Sequence, residues 1–220
     1  MNHIYYNFPI SMLRGFMTNS NEVLCNILNF CVWKEYLSCE DEDEVNSRLG
    51  IKMGSKSLEE GKRLYNRYAN DGFPWTGMRK ELYWSYYEKF RDNFDKVTLL
   101  AFLAIKSYLG KNKYYKLSNQ SNLFKRMSGY KESDKIKIPK EIAVFTTRYR
   151  FDKIKLELKE NWKVIFYATH IRGMYFSISM TLDELVLQAE KNKLKSRQKM
   201  QTKAVEEARK RALEELKKYI

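Results

Sequence analysis

The sequence predicts a mainly helical fold with a small β-hairpin, in three parts: a helical region over residues 1–94, a mixed segment over 95–180 and a long helix over 181–220. Three observations predict it. Only 3 Pro and 9 Gly interrupt 220 residues, which leaves room for long regular elements. Apolar residues recur at helical spacing through most of the chain, while clean alternation is confined to a stretch near residue 175. A composition that is 44% hydrophobic and 15% aromatic supplies a substantial core and excludes wholesale disorder.

The elements follow in order. Ile4–Ile10 reads as a strand or an extended arm. Ser20 is placed to cap a helix carrying Leu24, Ile27, Leu28, Cys31 and Val32, ending near Ser38. The acidic run Glu40–Glu44 is poorly suited to a negative helix C-terminus and reads as a solvated loop. Ser57-Leu58-Glu59-Glu60 is a capping box ahead of Leu64, Tyr65 and Tyr68, and Asn70–Pro74 breaks that helix. Thr76 is expected to cap the next helix, with Met78, Leu82, Tyr86 and Phe90 on one face. The crowd of aromatics between Trp75 and Phe94 reads as core rather than as a base-stacking platform.

From Asp95, an expected cap, a helix turns Val97, Leu100, Ala101, Ala104, Ile105 and Tyr108 inward and stops at Gly110. A short strand is expected within Lys113–Leu117. A short helix then starts at Ser118 or Ser121, carries Leu123, Phe124 and Met127, and closes at Gly129. Pro139 opens a further helical turn. Thr147–Glu160 predicts a helix buried through Phe151, Ile154 and Leu158. Trp162–Thr169 and Met174–Met180 read as paired strands, the second with Phe176, Ile178 and Met180 inward and Tyr175, Ser177 and Ser179 outward. Thr181-Leu182-Asp183-Glu184 is a capping box launching a helix with no Gly or Pro before Tyr219.

Charge is unevenly placed. Residues 1–95 hold 12 Lys/Arg against 14 Asp/Glu, residues 96–180 hold 18 against 6, and residues 181–220 hold 11 against 7. Nearly all of the net +14 therefore sits in the middle segment. A local excess of that size suits a polyanion, whose counterions are released on binding.

Other chemistries find little support. Cys25, Cys31 and Cys39 lack the short paired spacing of a zinc site and read as buried reduced thiols. No apolar run reaches the length of a membrane span and no secretory signal is apparent. The expected compartment is the cytoplasm, or the nucleoid of a prokaryote. His3 and His170 are the only histidines, and no phosphate-cradling glycine loop or nucleophile elbow is present. Tyrosines abound, but no supporting set marks one as a nucleophile. No enzyme activity, metal or cofactor is expected.

Helix, short strand, helix, helix and hairpin over residues 96–180 resembles a winged helix-turn-helix domain, with Trp162 behind the lysine-rich helix and Arg172-Gly173 at the hairpin tip. The Tyr130–Ile138 connection is longer than that family's tight turn. The resemblance implies a non-enzymatic protein of a bacterium or mobile element that binds double-stranded DNA in transcription control, replication initiation or element maintenance. The Thr147–Glu160 helix then enters the major groove, with Thr147, Arg148 and Arg150 toward base edges. Lys125, Arg126, Lys153 and Lys155 serve phosphates, and Arg172 at the wing tip reaches a flanking backbone or minor groove. The alternative is a protein-protein interaction or assembly factor on whose surface the basic charge is incidental. RNA is a third partner to consider, although no aromatic strand motif of the common RNA modules appears. The C-terminal helix is open to three readings: solvated, paired with a second copy in a homodimer, or laid along phosphates.

Overall fold

A computed structural model describes residues 4–52, 54–110, 113–169 and 173–216. The architecture is mainly α with two small antiparallel sheets and a long C-terminal helix. Strand β1 (Tyr5–Pro9) runs into a 3-10 turn over Ile10–Leu13, then α1 (Ser20–Cys39), α2 (Glu42–Leu49) and α3 (Ser55–Tyr68). Asn19, not Ser20, caps α1, its side chain accepting from the Glu22 amide. Gly61 is required where α3 crosses α1, because a Cβ there would collide with the Asn29 carbonyl and the Trp33 side chain.

The acidic run is not a loop. Glu40 ends α1 in a left-handed conformation, Asp41 caps α2, and Glu42, Asp43 and Glu44 fill its first turn. The macrodipole that excludes these acids from the end of one helix favours them at the start of the next. Thr76 likewise caps no helix. Residues Trp75–Arg79 form β2, which pairs antiparallel with β1 from Tyr5↔Arg79 to Pro9↔Trp75. Buried Thr76 donates to the Leu103 carbonyl at 2.7 Å, and Met78 lies on the strand rather than on the helix after it. That helix, α4 (Lys80–Glu88), buries Tyr83 and Tyr86, but Phe90 lies beyond its end and is 94% exposed.

Helix α5 (Asn93–Leu109) is the central element. Its six expected inward residues are all buried; Asp92 rather than Asp95 caps it, and Gly110 follows it. Next come β3 (Lys116–Ser118), α6 (Gln120–Met127, capped by Asn119 rather than by a serine), α7 (Lys140–Ala143), α8 (Arg148–Glu160), β4 (Ile165–Thr169), β5 (Gly173–Ser177) and α9 (Leu182–Leu216). Strand β5 lies between β3 and β4, in the order β3-β5-β4. The pairings run from Lys116↔Phe176 to Ser118↔Met174 and from Ile165↔Ser177 to Thr169↔Gly173.

Strand β5 departs from its expected alternation. Tyr175 and Ser177 are as buried as Phe176, whereas Ile178 is exposed beyond the strand. The cause is α9, whose first turns place Leu185 and Ala189 against Tyr175 and so cover the second face of the sheet. One continuous core runs from Tyr6 through α1, α5, α6 and α8 to Phe176. Polar links reinforce it: Arg14 donates to the Gly129 carbonyl and its guanidinium stacks on Tyr130, while Lys106 donates to the Gly77 carbonyl.

Among the described residues no helix is long and apolar enough to cross a membrane, and no group of three His, Cys, Asp or Glu side chains is placed to hold a metal. The cysteines are free thiols; Cys31 is buried, while Cys25 and Cys39 are half-buried. His3, His170, Arg172 and Tyr219 lie outside the described residues.

Candidate nucleic-acid interface

The surface to test is α8. It buries Phe151, Ile154 and Leu158 in the core, with the Phe151 ring 5.4 Å from that of Phe124 on α6, and Trp162, just beyond its end, lies 4.6 Å from Phe102 of α5 between ring centroids. Its start is held from the other side, where Gln120 of α6 donates to the Thr146 carbonyl at 2.6 Å. The helix is thus fixed along one face and open along the other. Thr147 occupies the N-cap position in extended conformation, and its side chain makes no cap bond to the first-turn amides of α8.

The expected contact residues divide into those that are free and those already engaged. Arg148 is free, its side chain 96% exposed, with only a loose 3.9 Å approach to Asp152. Thr147 and Lys153 are exposed, the Lys153 ammonium resting 4.7 Å above the Tyr149 ring. Arg150 is exposed but donates to the Val144 carbonyl at 2.9 Å. Lys155 is bonded to Asp152 at 2.6 Å. Lys125 bridges the Glu132 and Asp134 carbonyls, at 3.0 and 2.8 Å, and so shapes the loop after α6.

Arg126 does not serve a surface at all. It is 6% exposed, its guanidinium sits 4.6 Å over the Tyr108 ring, and its Nε and Nη1 have no hydrogen-bond partner. Burial pushes the phenol of Tyr108 up to about 12, against the pull of that guanidinium. The helical period explains the error: Arg126 falls beside Leu123 and Met127 on the inward face of α6, where its aliphatic stem fills the same space as an apolar side chain.

At about 100° per residue, the middle of the exposed face of α8 belongs to Tyr149 and Leu156, with Glu160 beside them. Arg148 and Lys155 stand on one flank, Arg150 on the other, and Lys153 nearer the centre. The basic groups therefore frame a partly apolar strip instead of forming an unbroken charged face. Sequence reasoning missed Tyr149, although its position one residue before Arg150 and two before buried Phe151 marks it as outward. Three further cations, Lys135, Lys137 and Lys140, stand exposed on the segment leading into α7. Comparison of the chain with protein-family models, curated proteins and solved structures finds no match.

Proposed function

We propose that the chain is a non-enzymatic DNA-binding protein, and that residues 95–180 form its winged-helix module. The observation that carries this reading is the start of α8, where Thr147, Arg148 and Arg150 stand exposed and the N-cap side chain makes no cap bond, on a helix buried along its other face. Partial positive charge at a helix start and two guanidiniums suit phosphate oxygens and guanine edges alike. The net +12 of residues 96–180 adds a long-range attraction to the duplex. Strands β4 and β5 pair as antiparallel neighbours, and in this reading residues 170–172 between them, which lie outside the described residues, supply the wing. In this role the protein acts in transcription control, replication or element maintenance in the cytoplasm or nucleoid. Replacing Arg148 and Arg150 by Ala should weaken duplex binding at least tenfold, since each lost base or phosphate contact costs about 1–3 kcal/mol. An unchanged affinity in that variant removes α8 from the interface.

A second reading is favoured by one specific observation. Tyr149 and Leu156 are 69% and 53% exposed in the middle of the same face, an apolar strip suited to a protein partner. Tyr149→Ser with Leu156→Ser separates the readings: it abolishes capture of a protein partner if that surface is for assembly, and leaves salt-sensitive duplex binding largely intact if it is for DNA.

A further inference from the structure

The largest charge excess not used by α8 lies on α9. Between residues 191 and 203 stand six Lys/Arg and no Asp or Glu, and all six are exposed. Helical rotation divides them into two sets. Lys191, Lys195, Lys199 and Lys203 recur every four residues and make one stripe, about 18 Å long at 1.5 Å per residue. Lys193 and Arg197 lie on the other side, where they line a cleft of about 570 Å³ between α9 and the sheet together with Tyr115, Tyr167, Tyr175 and Met200. Their engagements differ as well. Lys193 is bonded to Glu190 at 3.2 Å and Lys203 approaches Glu207 at 3.8 Å, but Lys191, Lys195 and Lys199 have no acid in reach among the described residues.

We propose that this lysine stripe lies along the phosphate backbone of duplex nucleic acid, giving a second contact beside α8. The inference rests on the duplex-binding reading above. Like charges at i,i+4 repel one another, and beyond Asn192 the described residues of α9 are exposed wherever their burial is defined. Among the described residues no acid is placed to offset that repulsion at Lys191, Lys195 and Lys199, whereas a polyanion does. A strand of duplex presents a phosphate about every 3.4 Å of axis, so the stripe runs beside about five of them and flexible lysine stems absorb the mismatch. An anionic membrane is the poorer match, because only Leu194 and Met200 are apolar between residues 190 and 203 and no apolar face is available to insert.

The test is a comparison of two charge-matched variants of the full chain. One carries Lys191→Gln and Lys195→Gln, the other Lys193→Gln and Arg197→Gln. Both remove two charges from the same segment, and Gln keeps helix propensity close to that of Lys. Binding to a labelled duplex is followed against salt concentration. The stripe pair should lower the slope of log K against log[salt] by about 2, from about 0.9 per phosphate, while the cleft pair leaves the wild-type slope. Equal losses in both variants, or none in either, overturn the inference, as does wild-type binding to phosphatidylserine vesicles that is lost only in the stripe pair while the duplex slope is unchanged. Wild-type protein that binds no duplex is a different result, since it removes the parent reading itself.

Discussion

Arg148 and Arg126 carry the same charge, yet the fold gives them opposite duties. The exposed Arg148 makes no close contact, so Arg148→Ala should leave the melting temperature unchanged and reduce duplex affinity. Arg126 is a buried cation whose Nε and Nη1 have no hydrogen-bond partner and which, among the described residues, makes no ion pair; Tyr108 is its neighbour, through ring and phenol. Arg126→Met, of similar length, should leave duplex affinity within about twofold and keep or raise stability, because an uncompensated buried charge is costly to desolvate. Urea titration and anisotropy on the two variants check both halves. Lys106 provides a pH signature. Burial pushes its ammonium down to about 8, where it donates to the Gly77 carbonyl and faces the Tyr5 ring. Unfolded, the same amine titrates near about 10.4. Between those values the unfolded chain binds the extra proton, so stability rises with pH across that window, on the order of 3 kcal/mol in all. Above about pH 10 the trend reverses, because burial raises Tyr6, Tyr83 and Tyr86 above their unfolded values and the unfolded chain loses its protons first. Unfolding of Lys106→Met should lack the rise and keep the fall.

At the scale of elements, Gly61 inverts the usual propensity rule. In an exposed helix Gly→Ala stabilises by about 1 kcal/mol, but Gly61→Ala forces α3 away from Asn29 and Trp33 and should cost about 1–3 kcal/mol in chemical denaturation. The elements legible in the sequence were those whose signal is local. Helix α5 announces itself through Val97, Leu100, Ala101, Ala104, Ile105 and Tyr108, and the Thr181/Glu184 capping box is made as expected, each partner bonding the other's amide. Strand β2 was hidden because its pairing partner, Tyr5–Pro9, lies some seventy residues earlier, and a lone Thr ahead of apolar residues looks the same before a helix. Helix α2 was hidden because an acidic run tells of a nearby dipole without saying which helix owns it. The second buried face of β5 depends on where α9 docks, which alternation within the strand does not record. The candidate site was legible as a basic helix with a buried stripe; which cations are free depends on partners such as Val144, Asp152 and Glu132 that spacing does not identify.

On the scale of the whole molecule, the core from Tyr6 to Phe176 ties the N-terminal helices to the 95–180 segment, and α9 projects from it. Scanning calorimetry should show one cooperative transition for that core, with the far part of α9 exchanging its amides much sooner in hydrogen-exchange experiments. Ala189→Glu, placed where α9 meets Tyr175, should release the helix from the sheet while the main transition persists. Duplex binding through residues 95–180 is the proposal on which the roles of α8 and α9 depend. It is tested most directly by fluorescence anisotropy of purified protein with labelled random duplex, single-stranded DNA and RNA, from about 50 to 200 mM salt. Micromolar or tighter binding to the duplex is expected at the low end, preferred over the other two and weakening steeply as salt rises. Absence of binding to all three at the lowest salt would contradict it and leave the Tyr149–Leu156 strip as the surface to explain.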